Sequence, residues 1–104
     1  MRWAVNLYTT EKTKRALPRI KHKLRTRRPQ PGIFLITLAS NEKNLLDLIQ
    51  AVFYIQPMLQ KMNPDIVGVA ENEDAAKEMI LKITEDVYKK QGNFDVRTYF
   101  EFQE

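Results

Sequence analysis

Between Glu11 and Arg28 stand Lys12, Lys14, Arg15, Arg19, Lys21, Lys23, Arg25, Arg27 and Arg28, nine of the chain's seventeen cations, and Glu11 is the sole acid of the segment. Ordinary protein surfaces mix the two signs, so a run of one sign calls for a cause. Projected as a helix, Ala16, Leu17, Ile20 and Leu24 form one apolar stripe. Lys14, Arg15, Arg19, Lys21 and Arg25 lie opposite that stripe, and Lys23, Arg27 and Arg28 flank it. Such a helix packs through four apolar residues and shows water an almost purely cationic surface. That surface attracts phosphates and displaces the counterions of a nucleic acid backbone. Five of the nine cations are arginines, whose planar fork suits phosphate oxygens. No aromatic residue is interleaved with the run, and no helix-turn-helix, zinc-finger or RNA-recognition signature is present. The expected activity is therefore polyanion binding without base specificity, nucleic acid backbone being the leading partner. Two readings compete with it: docking of an acidic protein surface, and a solvated face that only aids solubility. A lipid surface fits less well, because the short apolar stripe is needed for the core.

A second set of candidates comes from the loops that follow the expected strands. Thr9, Thr10, Ser40, Asn41 and Asn72 place a hydroxyl or amide at the start of each expected helix. Free backbone N–H groups at helix starts attract anions, and a parallel sheet binds ligands beyond its strand ends. The same residues are also the caps that three helices require. A small-molecule or anion binder, or an enzyme, using these loops is the alternative reading.

Most catalytic chemistry is hard to assemble. The chain has no cysteine, so disulfides, thiolate metal sites and cysteine nucleophiles are excluded. Ser40 is its only serine and His22 its only histidine; Ser40 lacks a G-x-S-x-G setting, and His22 sits between Lys21 and Lys23. Gly32, Gly68 and Gly92 are the only glycines, too few for a phosphate-cradling loop. Asp65, Glu71, Glu73 and Asp74 cluster around one expected strand, but no acids end the others. No metal or cofactor is expected, and the balance leans away from an enzyme. The strand–helix alternation resembles that of phospho-accepting receiver domains, yet Tyr8-Thr9-Thr10 and Ala70-Glu71 stand where receivers carry acids.

The elements that would position these residues follow from hydropathy patterns. Residues 2–8 alternate as a strand, with Trp3, Val5 and Leu7 on one face. Residues 11–28 form the cationic helix, with Pro18 kinking or loosening it. Residues 33–39 read as a central strand buried on both faces. Ser40 and Asn41 then cap an expected second helix carrying Leu45, Leu46, Leu48, Ile49, Val52 and Phe53, which Pro57 interrupts before a short segment with Met58, Leu59 and Met62. Residues 66–70 make a third strand. Asn72 opens a third helix, with Glu73 and Asp74 in its first turn and Gly92 closing it. Residues 94–102 alternate as a last strand, suited to an antiparallel edge. The expected fold class is α/β: a single small three-layer domain over residues 1–104, with a four-stranded, mainly parallel sheet in the order β-α-β-α-β-α-β. Leu24, Ile36, Val67, Val69, Ile83 and Val87 belong to the expected core, as do Val5 and Phe53.

The charge is uneven along the chain. Residues 1–52 hold eleven cations and three acids, and residues 53–104 hold six and ten. Complementary halves, together with an edge strand carrying Tyr99, Phe100 and Phe102, point to a homodimer through the last strand. With no signal-peptide pattern and no apolar run of membrane-spanning length, the expected location is cytoplasmic.

Overall fold

The computed structural model describes residues 1–39, 41 and 44–103, without the side chains of Leu59 and Gln60. Its centre is a five-stranded mixed sheet in the order β3-β2-β4-β1-β5. β1 is Arg2–Thr9, β2 Phe34–Leu38, β3 Leu46–Gln50, β4 Asp65–Ala70 and β5 Phe102–Gln103. β1 and β4 are parallel, β2 runs antiparallel to both β3 and β4, and β5 runs antiparallel to β1. The helices are α1 (Glu11–Arg25), α2 (Pro57–Lys61), α3 (Glu73–Gln91) and the single turn α4 (Val96–Tyr99), with a 3-10 turn over Ala51–Ile55.

The core divides between the two faces of the sheet, and the irregular β2–β4 register between Ile66 and Gly68 puts Val67 and Val69 on opposite faces. Ile36, Val67 and Ala70 join Ala76, Met79, Ile83 and Val87 of α3 and Val96 and Phe100 of the α4 region. Leu35, Ile66 and Val69 join Ile20 and Leu24 of α1 and Ala51 and Tyr54 of the 3-10 turn. The three-layer α/β expectation therefore holds, but the sheet has one more strand than expected and is mixed. Gly68 sits where α3 crosses β4: an added Cβ would lie 2.8 Å from Met79 Sδ and 3.1 Å from Ile36 Cδ1. Close packing of helix on strand explains that glycine.

Two expected elements are replaced. The second helix is instead a hairpin partner: β3 pairs with β2 from Leu38↔Leu46 to Phe34↔Gln50. The segment is apolar at both helical and strand periods, so periodicity does not discriminate. A central β2 needs ladder partners on both edges, and β4 fills only one. Asn41 accordingly accepts from the Asn44 N–H at 3.1 Å, within the hairpin connection rather than at a helix start. Phe53 is left 46% exposed, and Met58 and Met62 are exposed as well. The expected last strand becomes α4 followed by the two-residue β5. Val96 and Phe100 are buried and Tyr99 is half-buried while Thr98 is exposed, so the i, i+3, i+4 spacing of a helical turn overrides the alternation there. Val5 is 57% exposed because the β1–β4 register shifts between Trp3 and Tyr8.

Three helix signals hold. Thr10 caps α1 in a reciprocal capping box with Thr13. Asn72 Oδ1 accepts from the Ala75 N–H at 2.7 Å, and Gly92 closes α3 in the left-handed conformation at φ 72°. α1 continues through Pro18 without interruption. Its missing N–H leaves the Lys14 carbonyl on an exposed side of the helix, where water can serve it.

Candidate functional site

α1 packs Ile20 and Leu24 against the sheet, with Ala16 and Leu17 beside them. This orientation turns Lys12, Lys14, Arg15, Arg19, Arg25, Arg27 and Arg28 to solvent, while Lys21 and Lys23 are half-buried. The ion pairs among the described residues are Arg2–Asp65, Lys77–Glu73 and Lys82–Asp86, so none of the nine cations is neutralised by one. Lys12, Arg15 and Arg19 line an open groove of about 710 Å³ beside Thr13, Pro18, Ile33 and Glu71. Glu71 is its one acid, and its carboxylate accepts a hydrogen bond from the Thr10 hydroxyl.

The end of α1 carries a backbone feature absent from the sequence reading. The Arg28 N–H reaches the Lys23 carbonyl at 2.8 Å and the Arg27 N–H reaches that of Leu24 at 3.3 Å. This is the paired bonding of a Schellman motif, whose left-handed position glycine ordinarily fills. Here Arg27 occupies it at φ 57°. The chain then doubles back. Phe34 pairs with Ala70 while Thr9 pairs with Val69, so β2 starts at the end of the sheet where α1 also starts. The buried Gln30 secures this return by donating to the Ile20 carbonyl at 3.1 Å.

Tertiary structure also supplies an aromatic neighbour. Trp3, the only tryptophan of the chain, lies beneath Lys21, whose Nζ is 4.9 Å from the ring centroid. Trp3, Lys21, Leu24, Arg25 and Met1 line a second groove of about 380 Å³. Lys21 is thus drawn toward Trp3 rather than extended into water.

The loop candidates are not brought together. Thr9, Thr10 and Asn72 share the end of the sheet where β1 and β4 finish, whereas Asn41 follows β2 at the opposite end. Ser40 lies outside the described residues. Thr10 is engaged with Thr13 and Glu71, and Asn72 with Ala75, so both act as caps. Among the described residues no three His, Asp or Glu side chains gather as metal ligands.

One polar cluster escaped sequence reasoning. The Tyr8 hydroxyl donates to Asp86 Oδ2 at 2.6 Å and lies 2.9 Å from the Tyr99 hydroxyl. Lys82 pairs with Asp86 at 3.1 Å, and Lys90 Nζ stands 5.6 Å from the Tyr99 ring centroid. Burial, then the bonds to Asp86 and Tyr99, push the Tyr8 phenol well above its ordinary value. The Tyr8 hydrogen bond, with Lys82 and Lys89 nearby, holds Asp86 below the usual carboxylate value against the opposing effect of burial. These residues are 78 and 91 positions from Tyr8, so no local pattern marks them.

Geometry and charge together define a small mixed α/β domain with one cationic helix face. No family model matches the chain, and no curated protein or solved structure matches it significantly. Among the described residues no helix is long and apolar enough to cross a membrane.

Proposed function

We propose that this protein is a non-enzymatic binding module whose α1 face contacts a polyanion, a nucleic acid backbone without base specificity. The observation that carries this reading is the cationic run, held by the fold on α1 and the turn that ends it, with no carboxylate in ion-pair range of any of its nine members among the described residues. An unneutralised field of one sign is what phosphate contact uses. Arg27 adds support. A non-glycine residue in the left-handed region costs about 1 kcal/mol, and the chain bears that cost at a position inside the cationic run. The α1 helix is about 22 Å long, enough to lie along several successive phosphates.

The test is titration of generic duplex RNA and DNA at two salt concentrations, followed through Trp3 fluorescence and gel mobility. Each neutralised phosphate of a duplex contributes about 0.9 to the slope of log K against log salt. Replacing Lys12, Arg15 and Arg19 together by glutamine should therefore flatten that slope by about 2.7. Absence of binding at low salt, or binding that ignores both salt and the triple substitution, refutes the reading. Preference for an acidic protein competitor over nucleic acid would transfer the same face to protein docking.

A further inference from the structure

We propose that the free edge of β3 is a homodimer interface, at which a second copy of this chain pairs antiparallel about a two-fold axis through Leu48. β3 lies at one end of the sheet, and no described strand pairs with its outer side. The parity of its hydrogen bonds is set by its neighbours. The Ala51 N–H donates to Ile33 and the Ala39 N–H to Leu45, so the odd-numbered residues of this hairpin bond inward. Leu46, Leu48 and Gln50 therefore direct their backbone N–H and C=O outward. Centring the pairing on Leu48 sets Leu46 opposite Gln50 and Leu48 opposite itself. Every outward-facing residue then meets an outward-facing residue, and the ladder closes without an orphan group.

Side chains agree with this register. Asp47 is the one charge on the strand, and it falls opposite Ile49 rather than opposite its own copy. Leu45, 45% exposed, comes opposite the second copy's Ala51 and beside the 3-10 turn that exposes Phe53. Two otherwise solvated apolar residues thereby gain a neighbour from one operation. The last-strand edge is the weaker template: β5 has two residues, Phe100 is buried in its own core, and Tyr99 is held by Tyr8. A two-fold axis normal to the sheet also keeps both copies of α1 on the same face of a continuous sheet.

The full chain can be examined by sedimentation velocity from about 2 to about 200 μM, at low salt and at about 0.5 M salt. A dimer that forms with concentration at both salts is expected. Gln50 is exposed, has φ −73° and turns its N–H outward, so Gln50→Pro fits the monomer while removing a rung. That substitution should weaken the dimer about tenfold or more. Should Gln50→Pro itself lower the melting temperature of dilute monomer, Phe53→Glu decides, because Phe53 is a surface residue of the monomer. A chain that stays monomeric throughout overturns the proposal. So does a dimer that dissolves with salt, or one that is indifferent to the deciding substitution.

Discussion

Replacing Tyr8 by phenylalanine removes one oxygen and nothing else. The ring keeps its edge-on contact with Phe100, 6.0 Å between centroids. Lost are the 2.6 Å bond to the Asp86 carboxylate and the 2.9 Å contact with the Tyr99 hydroxyl. A hydrogen bond to a charged group contributes about 1.5–3 kcal/mol to stability. The Asp86 side chain is about a quarter exposed, which favours the lower end, about 1.5 kcal/mol. For a domain of this size that is a fall of about 6–12 °C in melting temperature. The pH dependence is more discriminating. Asp86 is depressed in the folded state, so its contribution is present above the unfolded carboxylate value of about 3.9 and is lost as pH falls through the folded value. Tyr8 is raised, so its contribution is present below about pH 10 and is lost as pH rises beyond it. The stability difference between wild type and Tyr8→Phe should thus be level from about pH 4 to 10 and shrink on both sides. Urea unfolding followed by Trp3 fluorescence at about pH 3, 7 and 10.5 measures it. A difference below about 0.5 kcal/mol at neutral pH, or one unchanged at the acid end, would exclude a stabilising Tyr8–Asp86 bond.

Two further outcomes follow from named contacts. Thr13 is buried, accepts from the Thr10 N–H at 2.9 Å and donates to the Val69 carbonyl at 2.9 Å, so Thr13→Val should cost about 2 kcal/mol with Thr13→Ser recovering much of it, as thermal unfolding would show. Arg27→Gly should raise stability by about 1 kcal/mol through relief of its φ of 57°, while flattening the salt slope of nucleic acid binding by about 0.9. A stabilised variant with undiminished binding would remove Arg27 from the contact surface.

The features legible in the sequence alone are local. The capping residues Thr10 and Asn72, the closing Gly92 and the single apolar stripe of residues 16–24 mark the starts of α1 and α3 and the end of α3, because backbone needs and side-chain period act within a few residues. Once α1 was legible, so was the face most of its cations take, since burying Ile20 and Leu24 fixes the helix's rotation, although Lys21, expected opposite the stripe, folds over Trp3 instead. Residues 45–53 are different. Their apolar content satisfies both periods, and only the open edge of β2 selected the strand Leu46–Gln50. Tertiary packing likewise turned residues 96–99 into a helical turn: Val96, Tyr99 and Phe100 turn toward the α3 layer together, while Phe94 and Thr98, which a strand would put on the same face as Val96, are exposed. The tail of α1 shows the same division. The Gln30 amide bonded to the Ile20 carbonyl folds the chain back, and that return makes β2 antiparallel where strand–helix alternation implied a parallel crossover. Trp3 beneath Lys21 and Tyr8 between Asp86 and Tyr99 belong to this second class as well. Such pairings join residues far apart in the chain, and no local preference encodes a partner that only sheet order brings within reach.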